Sequence, residues 1–127
     1  MIEKCELDDV EQLCVLVSGM IHDIDHPGFN NIFLVNSRNK LAMRYNDWSV
    51  LENHSIALAF DLMQYSDELD ILGNFNARDW KWFWEMLIST ILSTDMSKHF
   101  IELDLFKKWL TSVDFEAAGK DKQMCVN

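Results

Sequence analysis

The run Ala77-Arg78-Asp79-Trp80-Lys81-Trp82-Phe83-Trp84-Glu85-Met86-Leu87-Ile88-Ser89-Thr90-Ile91-Leu92 decides the fold class. Trp80, Phe83, Trp84, Leu87, Ile88 and Ile91 fall at i, i+3, i+4, i+7, i+8 and i+11. That is the spacing of one helical face, not the alternation of a strand. The apolar pattern continues through Phe100, Leu103 and Phe106 to Leu110. Between the two stretches, Thr94 and Asp95 weaken a helix locally and predict a kink, or a break and restart, near Ser93–Asp95. Trp80, Phe83 and Trp84 lie on the stripe and are expected in the core. Trp82 falls off it and is expected to be exposed or to meet another part of the protein.

Outward from this run the signals remain helical. Ser66–Asn76 is a polar break with Gly73-Asn74 as its turn. Before it, Ser49-Val50-Leu51-Glu52 has the form of a capping box. The helix it opens places Leu51, Ser55, Leu58, Ala59 and Leu62 on one face, widened by Phe60 and Met63. Asp8 and Glu11 form another capping-box pattern, followed by Val10, Leu13, Val17, Met20 and Ile21 at helical spacing. A helix over Asp9–His22 follows, stopped by Pro27-Gly28. Phe29–Asn36 reads as a short helix or buried turn, and Ser37–Tyr45 as a short helix. With one Pro and four Gly in the chain, four to six helices and no sheet are expected.

A chain of 127 residues, 49% of them apolar, has room for one domain with one core. Its formal net charge of −10 excludes a nucleic-acid binder, which needs clustered Lys and Arg. It also disfavours docking on an anionic membrane. The longest apolar run, around Leu13–Ile21, falls short of the roughly 20 residues of a membrane span. Residues 1–6 lack the features of a signal peptide. Cys5, Cys14 and Cys125 are widely spaced and read as free thiols of a reducing compartment. An intracellular, cytoplasmic protein is expected.

The chemistry concentrates in His22-Asp23-Ile24-Asp25-His26-Pro27-Gly28. His22 and His26 are four apart, so on a helix they would share a face, with Asp23 projecting close by. Two imidazoles with carboxylates suit Zn²⁺ or a similar ion. A His at a helix C-terminus and an Asp in a Pro-Gly turn explain the same residues without a metal. Glu52 fits a capping box, and His54, beside the apolar face, fits a core histidine. Thr94-Asp95-Met96-Ser97-Lys98-His99 fits either a functional inconsistency or a simple helix break. No phosphate-binding glycine loop, nucleophile elbow or Cys-His catalytic pattern is present.

These strings, in this order and spacing, resemble the catalytic domain of the class I 3′,5′-cyclic-nucleotide phosphodiesterases, within the HD-domain phosphohydrolases. The carriers are His22-Asp23-Ile24-Asp25-His26-Pro27-Gly28, Asn31-x-Phe33-Leu34-x-Asn36, Leu41-Ala42 and Tyr45-Asn46-Asp47. Ser49-Val50-Leu51-Glu52-Asn53-His54 and Leu92-Ser93-Thr94-Asp95-Met96-Ser97-Lys98-His99 complete them. The resemblance implies an all-α, multi-helix bundle over residues 1–127, clearest over 13–103, with 112–127 a frayed tail. It implies a two-metal site holding Zn²⁺ with Mg²⁺ (or Mn²⁺). His22 matches a zinc ligand, and Asp23 the carboxylate shared by both ions. His26, Glu52 and Thr94 match residues that hold metal-bound waters or brace the ligands. Asp95 and Met96 match the lining of the nucleotide pocket. In such a site two cations acidify a water between them, and the hydroxide attacks phosphorus in line.

The departures from the family pattern are equally specific. The family's His-Asn-x-x-His segment should precede Leu13, and residues 1–12 do not contain it. It supplies a further zinc-ligand His and the His that protonates the leaving oxygen. A further Asp ligand should lie well past Phe100, and neither it nor the later Gln and Phe that grip the purine is matched within the 127 residues. Ser55 stands where a second His usually follows the first. The chain is therefore expected to be the central part of a catalytic domain, incomplete at both ends, whose remaining catalytic and regulatory segments belong to a longer parent. The implied function is hydrolysis of cAMP or cGMP to the 5′-monophosphate. The alternative is a catalytically inactive remnant serving as a binding or regulatory partner.

Overall fold

The computed structural model describes residues 7–65 and 67–112. Six helices occur among them: α1 (Asp9–Ile21), α2 (Asn31–Asn36), α3 (Lys40–Arg44), α4 (Val50–Tyr65), α5 (Ala77–Leu92) and α6 (His99–Ser112). There is no strand among the described residues. The chain divides into two compact units, Met1–Asp95 and Met96–Asn127.

In the first unit, α1 begins as its sequence directs. The Asp8 carboxylate accepts from the Glu11 amide at 2.8 Å, and the Glu11 carboxylate accepts from the Asp8 amide at 3.0 Å. Two of the N–H groups left over at the helix start are thereby satisfied. Cys14, Val17 and Ile21 of α1 pack with Ile56, Ala59 and Phe60 of α4, Leu72 of the connection, and Phe83, Leu87 and Ile91 of α5. Phe83 is fully buried, and its burial alone stabilises the fold by about 1.5–3 kcal/mol. The Phe60 ring meets Trp84 edge-on at 4.3 Å, and Trp80 stacks on Trp84 at 5.5 Å. Trp80 is nevertheless exposed, as is Trp82, so the core stripe of α5 is narrower than its periodicity suggests. On α4 the buried face runs through Ser55, Ile56, Ala59 and Phe60, and Leu62 is exposed.

A smaller apolar cluster joins Leu34, Ala42 and Val50, bringing α2, α3 and the start of α4 together. Of the apolar α2 residues only Leu34 is buried, and Ile32 and Phe33 face solvent. The expected capping box at Ser49 and Glu52 is not formed. Ser49 has φ +39°, far from the extended backbone of a capping residue. Its hydroxyl donates instead to the Asp95 carboxylate at 2.7 Å. The amide of Leu51 is capped from elsewhere in the chain, by Asn31 Oδ1 at 2.9 Å.

The long helical pattern of the second half breaks rather than kinks. The Ser93 hydroxyl donates to the Thr90 carbonyl and the Thr94 hydroxyl to the Ile91 carbonyl, each at 2.7 Å. The Thr90 carbonyl is one that the end of α5 leaves open, whereas the Ile91 carbonyl also accepts from the Ser93 and Thr94 amides. The second unit contributes α6, on which Phe100, Ile101, Leu105, Phe106 and Trp109 are exposed. An ion pair between Lys108 and Asp104 at 2.8 Å lies along α6. Cys5 and Cys125, and residues 113–127 of the expected tail, lie outside the described residues. No described helix is long and apolar enough to cross a membrane.

Candidate active site

His22 follows the last residue of α1, with helical backbone and its amide bonded to the Ser18 carbonyl. Its Nδ1 lies 3.0 Å from the Gly19 carbonyl oxygen. A carbonyl only accepts, so Nδ1 carries the proton and Nε2 of the neutral ring presents a lone pair. That lone pair faces Asp23 Oδ2 at 3.2 Å. Two acceptors at this distance repel unless a proton or a cation lies between them. Ligand bonds of about 2.0–2.2 Å let one cation reach both atoms across that span.

His26 carries its proton on the other nitrogen. The Gly28 amide donates to His26 Nδ1 at 3.1 Å, so the neutral ring has its proton on Nε2 as an outward donor. Gly28 has φ +80°, which glycine adopts without steric penalty and which lets its amide turn back on the ring. The two histidines of the motif are therefore complementary: His22 offers an acceptor, His26 a donor.

Thr94 lines the same groove as His22. This space of about 300 Å³ is walled by Val15, Ser18, Gly19, His22, Thr90, Ile91 and Thr94. Glu52, on the first turn of α4, has its Oε2 held by Asn31 Nδ2 at 2.9 Å. Asp95 is buried, with its carboxylate on the Ser49 hydroxyl. Met96 is exposed in the second unit. Neither His26 nor Glu52 is hydrogen-bonded to His22, Asp23 or Thr94. Among the described residues no three His, Cys, Asp or Glu side chains converge as a metal would require. His22 and Asp23 thus fit a cation as a pair of donors, and the described residues add no third.

Three residues that sequence reasoning passed over tie these parts together. Asp25, read as turn chemistry, accepts from His54 Nε2 at 2.8 Å. Ser55, read as a mere substitution, donates to the Ile24 carbonyl at 3.3 Å. Asn31 both caps α4 and holds Glu52. Left-handed backbone occurs at Asp25 (φ +57°), Arg38 (+53°), Asn46 (+55°), Asp47 (+63°) and Ser49 (+39°). Asn-Asp dipeptides and an Asp before His-Pro-Gly tolerate this backbone, and were its only sequence signal.

The family model described as 3′5′-cyclic nucleotide phosphodiesterase matches residues 2–127. The Caenorhabditis elegans "Probable 3′,5′-cyclic-AMP phosphodiesterase pde-4" is 48% identical over 91 residues, 72% of this chain and 13% of that protein. A Drosophila melanogaster "High affinity cGMP-specific 3′,5′-cyclic phosphodiesterase 9A" is 40% identical over 120 residues, 94% of this chain and 8% of that protein. The crystal structure of the phosphodiesterase domain of the RhoPDE fusion protein from the choanoflagellate Salpingoeca rosetta matches with a TM-score of 0.76 at 37% identity. That match covers 80% of this chain and 32% of the other. The chain thus spans a small part of the length of the curated relatives it matches.

Proposed function

Because the chain belongs to the 3′,5′-cyclic nucleotide phosphodiesterase family, we propose that it is the metal-presenting centre of a hydrolase converting cAMP or cGMP to the 5′-monophosphate. The observation that carries this reading is the His22–Asp23 pair, with an imidazole lone pair aimed at a carboxylate beside the groove that Thr94 lines. The family is metal-dependent, and we assign Zn²⁺ with Mg²⁺ (or Mn²⁺) as the ions. Such cations, when bound, offset phosphate charge and acidify water.

The chain's own residues contribute binding and orientation. His22 and Asp23 would hold the cation, and the Gly19 carbonyl keeps the His22 ring turned so that Nε2 stays available. His26 offers its Nε2–H to a water or a phosphoryl oxygen. By the family pattern Glu52, which Asn31 holds, and Thr94 would fix waters of the metal site. Asp95 and Met96 belong to the nucleotide pocket by the family pattern. For Asp95 the buried bond to Ser49 supports a bracing role beneath Thr94. We read residues 1–127 as the central part of a catalytic domain that works in the cytoplasm, completed by segments of a longer polypeptide.

The second reading, a non-catalytic remnant, is favoured only if the 127-residue chain is what the cell makes, since two donors stand without a third among the described residues. The test is to assay cAMP and cGMP hydrolysis by this chain and by the longest polypeptide encoded in frame around it. Turnover by the longer protein, lost in Asp23→Ala, supports the hydrolase. Cation binding without turnover in either form supports the remnant.

A further inference from the structure

We infer that His54 is a positioning residue, which through Asp25 holds the His22–His26 turn in the conformation that presents Asp23 and His26. The naming of what the turn presents rests on the proposed function; the brace itself rests on geometry alone. Asp25 has φ +57°, a left-handed backbone that Asp tolerates better than most residues and that contacts from outside the turn help to hold.

Two consecutive residues of α4 grip two consecutive residues of the turn. His54 Nε2 meets Asp25 Oδ2 at 2.8 Å, and Ser55 Oγ donates to the Ile24 carbonyl at 3.3 Å. The Asp25 carboxylate is 68% exposed, and an ion pair between two exposed groups would contribute little. His54, however, is only 13% exposed, its ring lying 6.4 Å from that of Tyr45. It is a fixed post on a packed helix. The turn's own bonds are short-range, Ile24 amide to Ile21 carbonyl at 3.0 Å and His26 amide to Asp23 carbonyl at 3.2 Å. They close the turn without anchoring it to the rest of the fold. Asp23 and His26 flank the gripped pair, so the grip sets the direction of both.

Amide hydrogen exchange on the whole chain tests this without nucleotide or metal. In His54→Ala and in Asp25→Ala, exchange at Ile24 and His26 should accelerate roughly 10-fold or more, with amides of α5 unchanged. The double variant should go no further than either single one. Asp25→Asn, which tolerates left-handed backbone and keeps an oxygen acceptor, should retain most of the protection. Unchanged exchange at Ile24 and His26 would overturn the inference. Uniform acceleration through α1, α4 and α5 would also overturn it, since it signals only a general loss of stability. A Zn²⁺ titration of the wild-type chain, followed at the His22 ring, tests the metal reading separately. A protected turn with no His22 response would refute that reading and leave the brace standing.

Discussion

The Ser49 hydroxyl and the Asp95 carboxylate meet at 2.7 Å with both side chains buried, tying the start of α4 to the residue that follows the Thr94 turn. Ser49→Ala leaves a buried carboxylate short of a donor, and should destabilise the first unit by about 1.5–3 kcal/mol. Ser49→Gly removes the same hydroxyl but relaxes the left-handed backbone, so it should destabilise less than Ser49→Ala. Chemical denaturation of the two variants checks the order.

Asn31 satisfies α4 from a distance, and its replacement should register there. Asn31→Ala removes the cap on the Leu51 amide and should lower stability by about 0.5–2 kcal/mol. Asn31→Asp keeps an acceptor for Leu51 but sets a carboxylate against Glu52. Adding Glu52→Gln should therefore recover much of the loss. A double-mutant cycle in urea measures the coupling.

Burial pushes the Cys14 thiol above its ordinary pKa, a shift the hydrogen bond with Ser18 partly offsets. The folded state thus favours the protonated thiol more than the unfolded state does. The stability this contributes is fully present below the ordinary thiol range, and is lost as pH rises through it toward the folded value. In a variant with Cys5 and Cys125 changed to Ser, a thiol reagent should label Cys14 only as fast as the core opens. Cys14→Ser should remove that labelling and flatten the fall in stability at alkaline pH.

A cation site built on two donors should bind weakly. Zn²⁺ added to the 127-residue chain should perturb the His22 ring before that of His54, whose Nε2 is engaged by Asp25. Asp23→Ala should weaken the His22 response by several-fold. The same chain should hydrolyse cAMP and cGMP slowly or not at all, because catalytic zinc sites hold their ion with about three protein ligands. A steady-state assay with Zn²⁺ and Mg²⁺ measures this directly.

What was legible in the sequence was local. The Asp8–Glu11 capping box, the start of α5 at Ala77 and the position of His22 and Asp23 at the end of α1 are set by neighbours within one or two turns. The cap of α4 was misassigned to Ser49 because its real donor of the acceptor oxygen, Asn31, lies 20 residues upstream of Leu51. His54 was read as a core histidine for the same reason. Its burial was anticipated, but the partner that gives it a role is 29 residues away. The exposure of Trp80 was missed because periodicity identifies a face, not the width of what covers it. The family resemblance supplied roles for His26, Glu52 and Thr94, which spacing alone left open.

The polar ties at the site join residues 20 to 46 positions apart, whereas each helix forms from neighbours. Closing such loops is entropically slow compared with winding a helix. Each helix needs no distant bond to wind, whereas the ties at Ser49, Leu51 and Asp25 form only once segments 20 to 46 residues apart have met. A nascent or proteolytically clipped chain lacking Asp95 would thus be rich in helix yet leave the beginning of α4 untethered at that end.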